Sequence, residues 1–160
     1  MKEFALITGA SSGIGQEICY CLAKRGYNII LTSRSEKKLK TISEEISSKY
    51  KVKTAFFSTD LSDLQGPKNI FDFCESKNFH IDILVNNAGY ALPNSFEKNS
   101  IEDEENCMRV LGSSVVSLTK LFLRNMLKKS RGKIMIVSSV AAFAPPAKIQ
   151  VLYGPIKTFM

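Results

Sequence analysis

Eight residues near the N-terminus carry the strongest chemical signal in this 160-residue chain: Thr8-Gly9-Ala10-Ser11-Ser12-Gly13-Ile14-Gly15. They follow an apolar run at 4–8 and open an amphipathic stretch. Glycines at 9, 13 and 15 let a backbone turn tightly and let a bulky anion come close. The helix that follows offers free N–H groups and the positive end of its dipole. Ser11 and Ser12 add hydroxyls. Such a turn suits the pyrophosphate of a dinucleotide. An ordinary glycine turn is the competing reading, and the strand and helix on either side argue against it. Near the other end, Tyr153 and Lys157 stand four residues apart, so one helical face holds both. An ammonium beside a phenol favours the phenolate and lowers a pKa that is about 10 in free tyrosine. That combination makes a general acid or base. Taken alone, the pair is better read as a tyrosine and a lysine on a surface helix.

The elements that must position these residues alternate. Strands are expected at 4–8, 28–33, 53–59, 82–85 and 133–138. The runs FALIT, IILT and IMIV are almost wholly apolar, as in strands buried on both faces of a parallel sheet. Amphipathic helices fall between them. Ile14, Ile18 and Leu22 recur every fourth residue and predict one apolar stripe. Ser35 is placed to cap the second helix, with Glu36 favourable in its first turn. A third helix is expected over 63–77, with Pro67 near its start. A fourth opens at Ser100 and Asp103, which resemble a capping box, and runs to Lys128 and Lys129 before Gly132 stops it. A last helix begins near Leu152 and is cut at Met160. The pattern predicts a doubly wound α/β fold of Rossmann type, with right-handed βαβ crossovers, in a single dinucleotide-binding domain spanning 1–160.

Composition narrows the function. Apolar residues make up 44% and charged residues 23%, which is globular rather than disordered. No apolar run approaches the roughly 20 residues of a membrane helix, and residues 1–4 do not open a signal peptide, so a cytoplasmic location is the expectation. The net charge of +7 raises nucleic-acid binding. The basic residues instead gather on short helix faces and helix ends (Lys37, Lys38, Lys40; Lys128, Lys129, Arg131), where solvation explains them. Cys19, Cys21, Cys74 and Cys107 lack metal-ligand spacing and read as reduced core thiols, and no metal is expected. His80, the only histidine, is given no role.

With its context in view, TGxxxGxG resembles the fingerprint of the short-chain dehydrogenase/reductase family. Three further motifs follow in the family's order. Asp60-Leu61 stands after the third strand, Asn86-Asn87-Ala88-Gly89 ends the fourth, and Ser138-Ser139 precedes the YxxxK pair Tyr153 and Lys157. The resemblance implies hydride transfer between a nicotinamide cofactor and a small carbonyl or alcohol. Tyr153 would act as general acid in reduction or base in oxidation, Ser139 would hold the substrate oxygen, and Lys157 would also bind the nicotinamide ribose. Cofactor contacts are implied for Gly9, Ser11, Ser12, Gly13, Ile14, Gly15, Asp60, Leu61, Asn87, Ala88, Gly89, Tyr153 and Lys157. The second strand ends in Ser33-Arg34, where NAD-preferring members carry an acidic residue. Arg34, supported by Lys37 or Lys38, suits a 2′-phosphate, so NADP(H) is expected over NAD(H).

Four features depart from the family pattern. Leu111 falls where the family's fourth helix carries an Asn that completes a proton relay. The interval from Ser139 to Tyr153 is one residue longer than usual, within a loop over 141–151 that contains Pro145-Pro146, and Ser138 stays a secondary candidate for the serine role. Pro155 stands inside YxxxK, tolerable early in a helix. The strands that would follow Lys157 are missing, which reads as a fragment and leaves the fifth strand an exposed edge. Besides an oxidoreductase, the sequence thus admits a catalytically inactive dinucleotide-binding module, or a scaffold that binds no cofactor. Family members often form homo-oligomers. The apolar face at Val115, Leu118 and Phe122 is a candidate for self-association, with burial on its own sheet as the alternative.

Overall fold

The computed structural model describes residues 3–145, 149 and 151–160. Five strands form one parallel sheet in the order β3-β2-β1-β4-β5: β1 Phe4–Thr8, β2 Asn28–Ser33, β3 Thr54–Ser58, β4 Ile81–Asn86 and β5 Lys133–Ile136. Side chains alternate across a strand, so β1 feeds both faces. Ala5 and Ile7 join Ile29, Leu31 and Val85 in one core, against α1 (Gly13–Lys24) and α2 (Glu36–Tyr50). Leu6 joins Ile30 and Leu84 in the other, against α3 (Gly66–Ser76) and α5 (Ser114–Lys128). The doubly wound fold follows from that split.

The central strands are buried as their apolar runs predict. The IMIV run departs from expectation: Met135 and Ile136 are exposed, because β5 is an edge strand. The first helical stripe is shifted by one residue. Gly15, Cys19 and Ala23 are buried, Ile18 and Leu22 pack partly against the core, and Ile14 is 65% exposed. Ser35 stands at the start of α2 but makes no side-chain cap, and its N–H donates to Ser33 Oγ at 3.2 Å.

Helix α3 starts at Gly66 with Pro67 in its first turn, three residues later than expected. The fourth expected helix is three segments end to end: α4 (Ile101–Met108), a π-helical turn (Arg109–Ser113) and α5. Ser100 caps α4 as predicted, accepting from the Asp103 N–H at 3.0 Å. Gly132 does not stop α5. The helix ends at Lys128, and Ser130 turns the chain at φ 49°. Val115, Leu118 and Phe122 are buried within their own domain. The last helix, α6, spans Tyr153–Phe159. The loop expected over 141–151 opens with a 3-10 turn, Val140–Phe143, and its Pro146 lies outside the described residues.

A charged clasp closes the end of the sheet opposite the glycine turn. Arg131 donates to Asp82 Oδ1 from Nε at 3.1 Å and Nη2 at 2.8 Å, and its Nη1 is 3.2 Å from Glu3 Oε1. Asp82 Oδ2 accepts from the Phe4 N–H at 3.3 Å. The clasp ties the starts of β1 and β4 to the turn that leads into β5.

Candidate active site

The motifs converge at the C-terminal ends of the strands, on either side of the point where the order reverses between β1 and β4. Ligands of open parallel sheets bind at such a point. A cleft of ≈ 610 Å³ opens there, lined among others by Gly9, Ser11, Ser12, Arg34, Asp60 and Tyr90.

The glycine turn is built around Asn87. Its Nδ2 donates to the Thr8 carbonyl at 2.9 Å and to the Gly9 carbonyl at 3.4 Å. Thr8 Oγ1 accepts from the Asn87 and Ala88 N–H groups at 3.0 and 2.9 Å. Gly9 has φ 67°, and a Cβ there would lie 2.8 Å from Ala88 Cα. A Cβ on Gly15 would meet Asn87 Nδ2 and the Gly9 carbonyl. Both positions therefore require glycine. Asn87 thus acts on the turn from behind. Ser12 makes no capping bond to α1, so its hydroxyl is not committed to the helix end that faces the cleft.

Arg34 is 71% exposed at the end of β2. Its Nη1 is 3.9 Å from Asp60 Oδ2, and its Cζ lies 6.0 Å from the centre of the Tyr90 ring. Asp60 Oδ1 accepts from the Ser62 N–H and Oγ, both at 2.9 Å. Lys38 lines the cleft with Arg34, whereas Lys37 is not among its lining residues. Leu61, Ala88 and Gly89 line its floor. Ile14 projects from the first turn of α1.

Among the cleft residues that the sequence did not single out are Thr32 and Tyr90. Thr32 Oγ1 is buried without a partner, an orphaned polar atom that a bound ligand or water would satisfy. Tyr90 follows the NNAG run directly. Its residue type was the only signal in the sequence.

The last helix, α6, packs against the 3-10 turn. Thr158 Oγ1 donates to the Ala142 carbonyl at 2.8 Å, and a Cβ on Gly154 would lie 2.9 Å from the Ala141 carbonyl oxygen. Ser138 Oγ donates to the Lys157 carbonyl at 2.8 Å, a scaffold role that occupies its proton. Ser139 Oγ accepts from the Ala141 N–H at 3.2 Å, which leaves its O–H to donate. Lys157 is only 5% exposed. Its Nζ donates to the Val137 carbonyl at 2.8 Å and stands 5.7 Å from the Tyr153 ring centre. Burial lowers the Lys157 pKa from its ordinary value. Leu111, in the π-helical turn, is fully buried beside them. A Cβ on Gly89 would lie 2.6 Å from Leu111 Cδ2 and 3.9 Å from Lys157 Nζ.

The model for short chain dehydrogenase matches residues 3–160. The chain belongs to this family. Among curated short chain dehydrogenase relatives, it is 34% identical to a very-long-chain 3-oxoacyl-CoA reductase of Bos taurus over 168 residues, covering 100% of this chain and 52% of the relative. It is 37% identical to a hydroxysteroid dehydrogenase-like protein 1 of Gallus gallus, covering 99% and 48%. The chain thus spans about half the length of these relatives. A short-chain dehydrogenase from Sphingobium yanoikuyae, solved with NADPH, superposes with a TM-score of 0.91 at 27% identity, covering 98% of this chain and 60% of that one. L-Sorbose reductase from Gluconobacter frateurii, solved with NADPH and L-sorbose, gives 0.91 at 26%, covering 99% and 60%.

Among the described residues, no three or more His, Cys, Asp or Glu side chains gather to hold a metal. No helix among them is long and apolar enough to cross a membrane.

Proposed function

We propose that this chain forms the cofactor-binding and acid–base part of a cytosolic oxidoreductase acting between a carbonyl and an alcohol, with NADP(H) preferred over NAD(H). The observation that carries the reading is the cleft. Its glycine cradle and the α1 N-terminus fit a pyrophosphate, the orphaned Thr32 Oγ1 offers a further polar contact, and Arg34 and Lys38 fit a 2′-phosphate. When bound, the nicotinamide supplies or accepts the hydride. Ser139 would orient the substrate oxygen with its free O–H, and Tyr153 would give that oxygen its proton in reduction. Lys157 would bind the nicotinamide ribose, as the family resemblance implies.

Two relatives guide the choice of substrate. The mammalian and fish proteins named for 3-oxoacyl-CoA reduction make a 3-oxoacyl thioester the first to try. Val140 and Phe143 are 87% and 94% exposed just past Ser139, an apolar approach that suits an acyl chain.

The test is a fluorescence titration with NADPH and NADH, with Arg34→Ala alongside. The reading expects tighter NADPH binding that Arg34→Ala brings to the NADH level. Equal binding of both cofactors by the parent chain would remove the NADP(H) preference, and no binding by folded protein would remove the function. A second reading, cofactor binding without turnover, is favoured by one observation: Leu111 places a methyl group, not a polar atom, beside Gly89 and Lys157.

A further inference from the structure

We propose that Tyr90 is a positioning residue for cofactor choice: its ring holds the Arg34 guanidinium at the cleft mouth, where it meets a ribose 2′-phosphate. The inference rests on the NADP(H) reading above.

The two residues come from different strands. Arg34 follows β2 and Tyr90 follows the NNAG run after β4, with β1 lying between those strands. Their contact therefore spans the mouth of the crevice, and both residues line it. Arg34 needs such a support. At 71% exposure its long side chain is otherwise held by one ion pair at 3.9 Å to Asp60, and exposed pairs of that kind fix little. Tyr90 is the better anchor because it is itself anchored. It is half-buried, packs against the core on the α3 and α5 face, and its carbonyl accepts from the Cys107 thiol at 3.7 Å.

The chemistry of the two supports differs. Asp60 is a counter-ion, so a guanidinium drawn fully onto it would have less charge to offer a phosphate. Asp60 is also engaged elsewhere, its other oxygen accepting two bonds from Ser62. A neutral ring attracts the guanidinium through its quadrupole and leaves the charge intact. A guanidinium lying on a ring also keeps its N–H edge free for a bidentate anion. Tyr90 thus confines Arg34 without competing for its hydrogen bonds.

The test compares adenosine 2′,5′-bisphosphate with 5′-AMP, two probes that differ only in the 2′-phosphate. Binding is titrated for the parent chain, Tyr90→Leu, Tyr90→Phe, Arg34→Ala and the Tyr90→Leu/Arg34→Ala pair. Tyr90→Leu is expected to weaken the bisphosphate by about two- to fivefold, as an exposed cation–π contact predicts. It leaves 5′-AMP unchanged, which also reports an intact fold. Tyr90→Phe keeps the ring and binds like the parent, and Tyr90→Leu has no further effect once Arg34 is gone. Equal losses for both probes would make Tyr90 a wall of the pocket and overturn the inference. A bisphosphate affinity sensitive to Arg34→Ala but not to Tyr90→Leu overturns the inference alone. Insensitivity to Arg34→Ala removes the NADP(H) reading, and the inference with it.

Discussion

Thr8 and Asn87, 79 residues apart in sequence, hold each other through both backbone and side chain. Asn87 gives its amide to the Thr8 carbonyl at 2.9 Å and its N–H to Thr8 Oγ1 at 3.0 Å, and Ala88 adds a second N–H to that oxygen at 2.9 Å. One hydroxyl thus satisfies two half-buried backbone donors. Thr8→Val removes the acceptor and keeps the shape. It is expected to cost about 2–3 kcal/mol, since each unsatisfied buried donor costs on the order of 1–3. Thr8→Ser should recover most of that, and urea unfolding of the three proteins measures it.

Gly15→Ala tests the turn itself. The new methyl meets the Gly9 carbonyl, which is backbone and cannot swing aside, as well as Asn87 Nδ2. The turn must deform, so NADPH affinity should fall at least about tenfold, or ~1.4 kcal/mol. Gly13→Ala makes a useful contrast. Its Cβ faces open space, and the cost there is a φ of 55° rather than a collision. It should unsettle the fold more than it obstructs the ligand.

Leu111→Asn addresses the second reading of function. Replacing a fully buried leucine with an amide is expected to destabilise the domain by about 1–3 kcal/mol, because the amide loses water and leaves apolar neighbours. If the apolar side chain is what limits chemistry, NADPH oxidation with a 3-oxoacyl thioester should nevertheless increase. Unchanged turnover in folded Leu111→Asn would place the limitation elsewhere.

The buried thiols give a pH dependence. Burial pushes Cys19 and Cys74 up to about 12 from a usual value of 9.0. The folded state then keeps protons that the unfolded state has lost. Their stabilising contribution is complete below about pH 9 and is lost as pH climbs toward 12, at up to about 1.4 kcal/mol per pH unit for each thiol. Lys157, lowered by burial, works in the opposite sense, because there the unfolded state holds the extra proton. Comparing the parent with Cys19→Ala/Cys74→Ala between pH 8 and 11 isolates the thiols: the variant's stability should decline less steeply. In the native state at neutral pH, exposed Cys21 should alkylate first.

How far the sequence could be read depended on how local each cause was. The Ser100 cap was legible because donor and acceptor lie three residues apart. The strands at 4–8 and 28–33 were legible because near-complete burial leaves an apolar run at the centre of each. The phase of the first helix was not, because Gly15 faces inward on account of Asn87, a partner 72 residues away in the chain. Nor was the exposure of β5, since an apolar run does not reveal whether a neighbour covers it. At the site, Gly9, Ser11 and Ser12 of the glycine turn, Asp60, and Ala88 and Gly89 of the NNAG run line one cleft, whereas Gly13, Ile14, Gly15 and Asn87 are not among its lining residues. Thr32 and Tyr90 could not be found that way. Thr32 matters to the cleft only through its burial, and Tyr90 through its reach across β1.

The Asp82–Arg131–Glu3 clasp sits at the opposite end of the strands from every residue assigned to binding or proton transfer. The sheet therefore behaves like a hand tool with its rivet at one end and its jaws at the other. Changes at the rivet should alter how long the molecule holds together, and changes at the jaws should alter what it grips. A designer could tighten the first, for example by exchanging Glu3 for a longer-lived contact to Arg131, while freely varying the second. None of the three clasp side chains is among the residues that line the cleft.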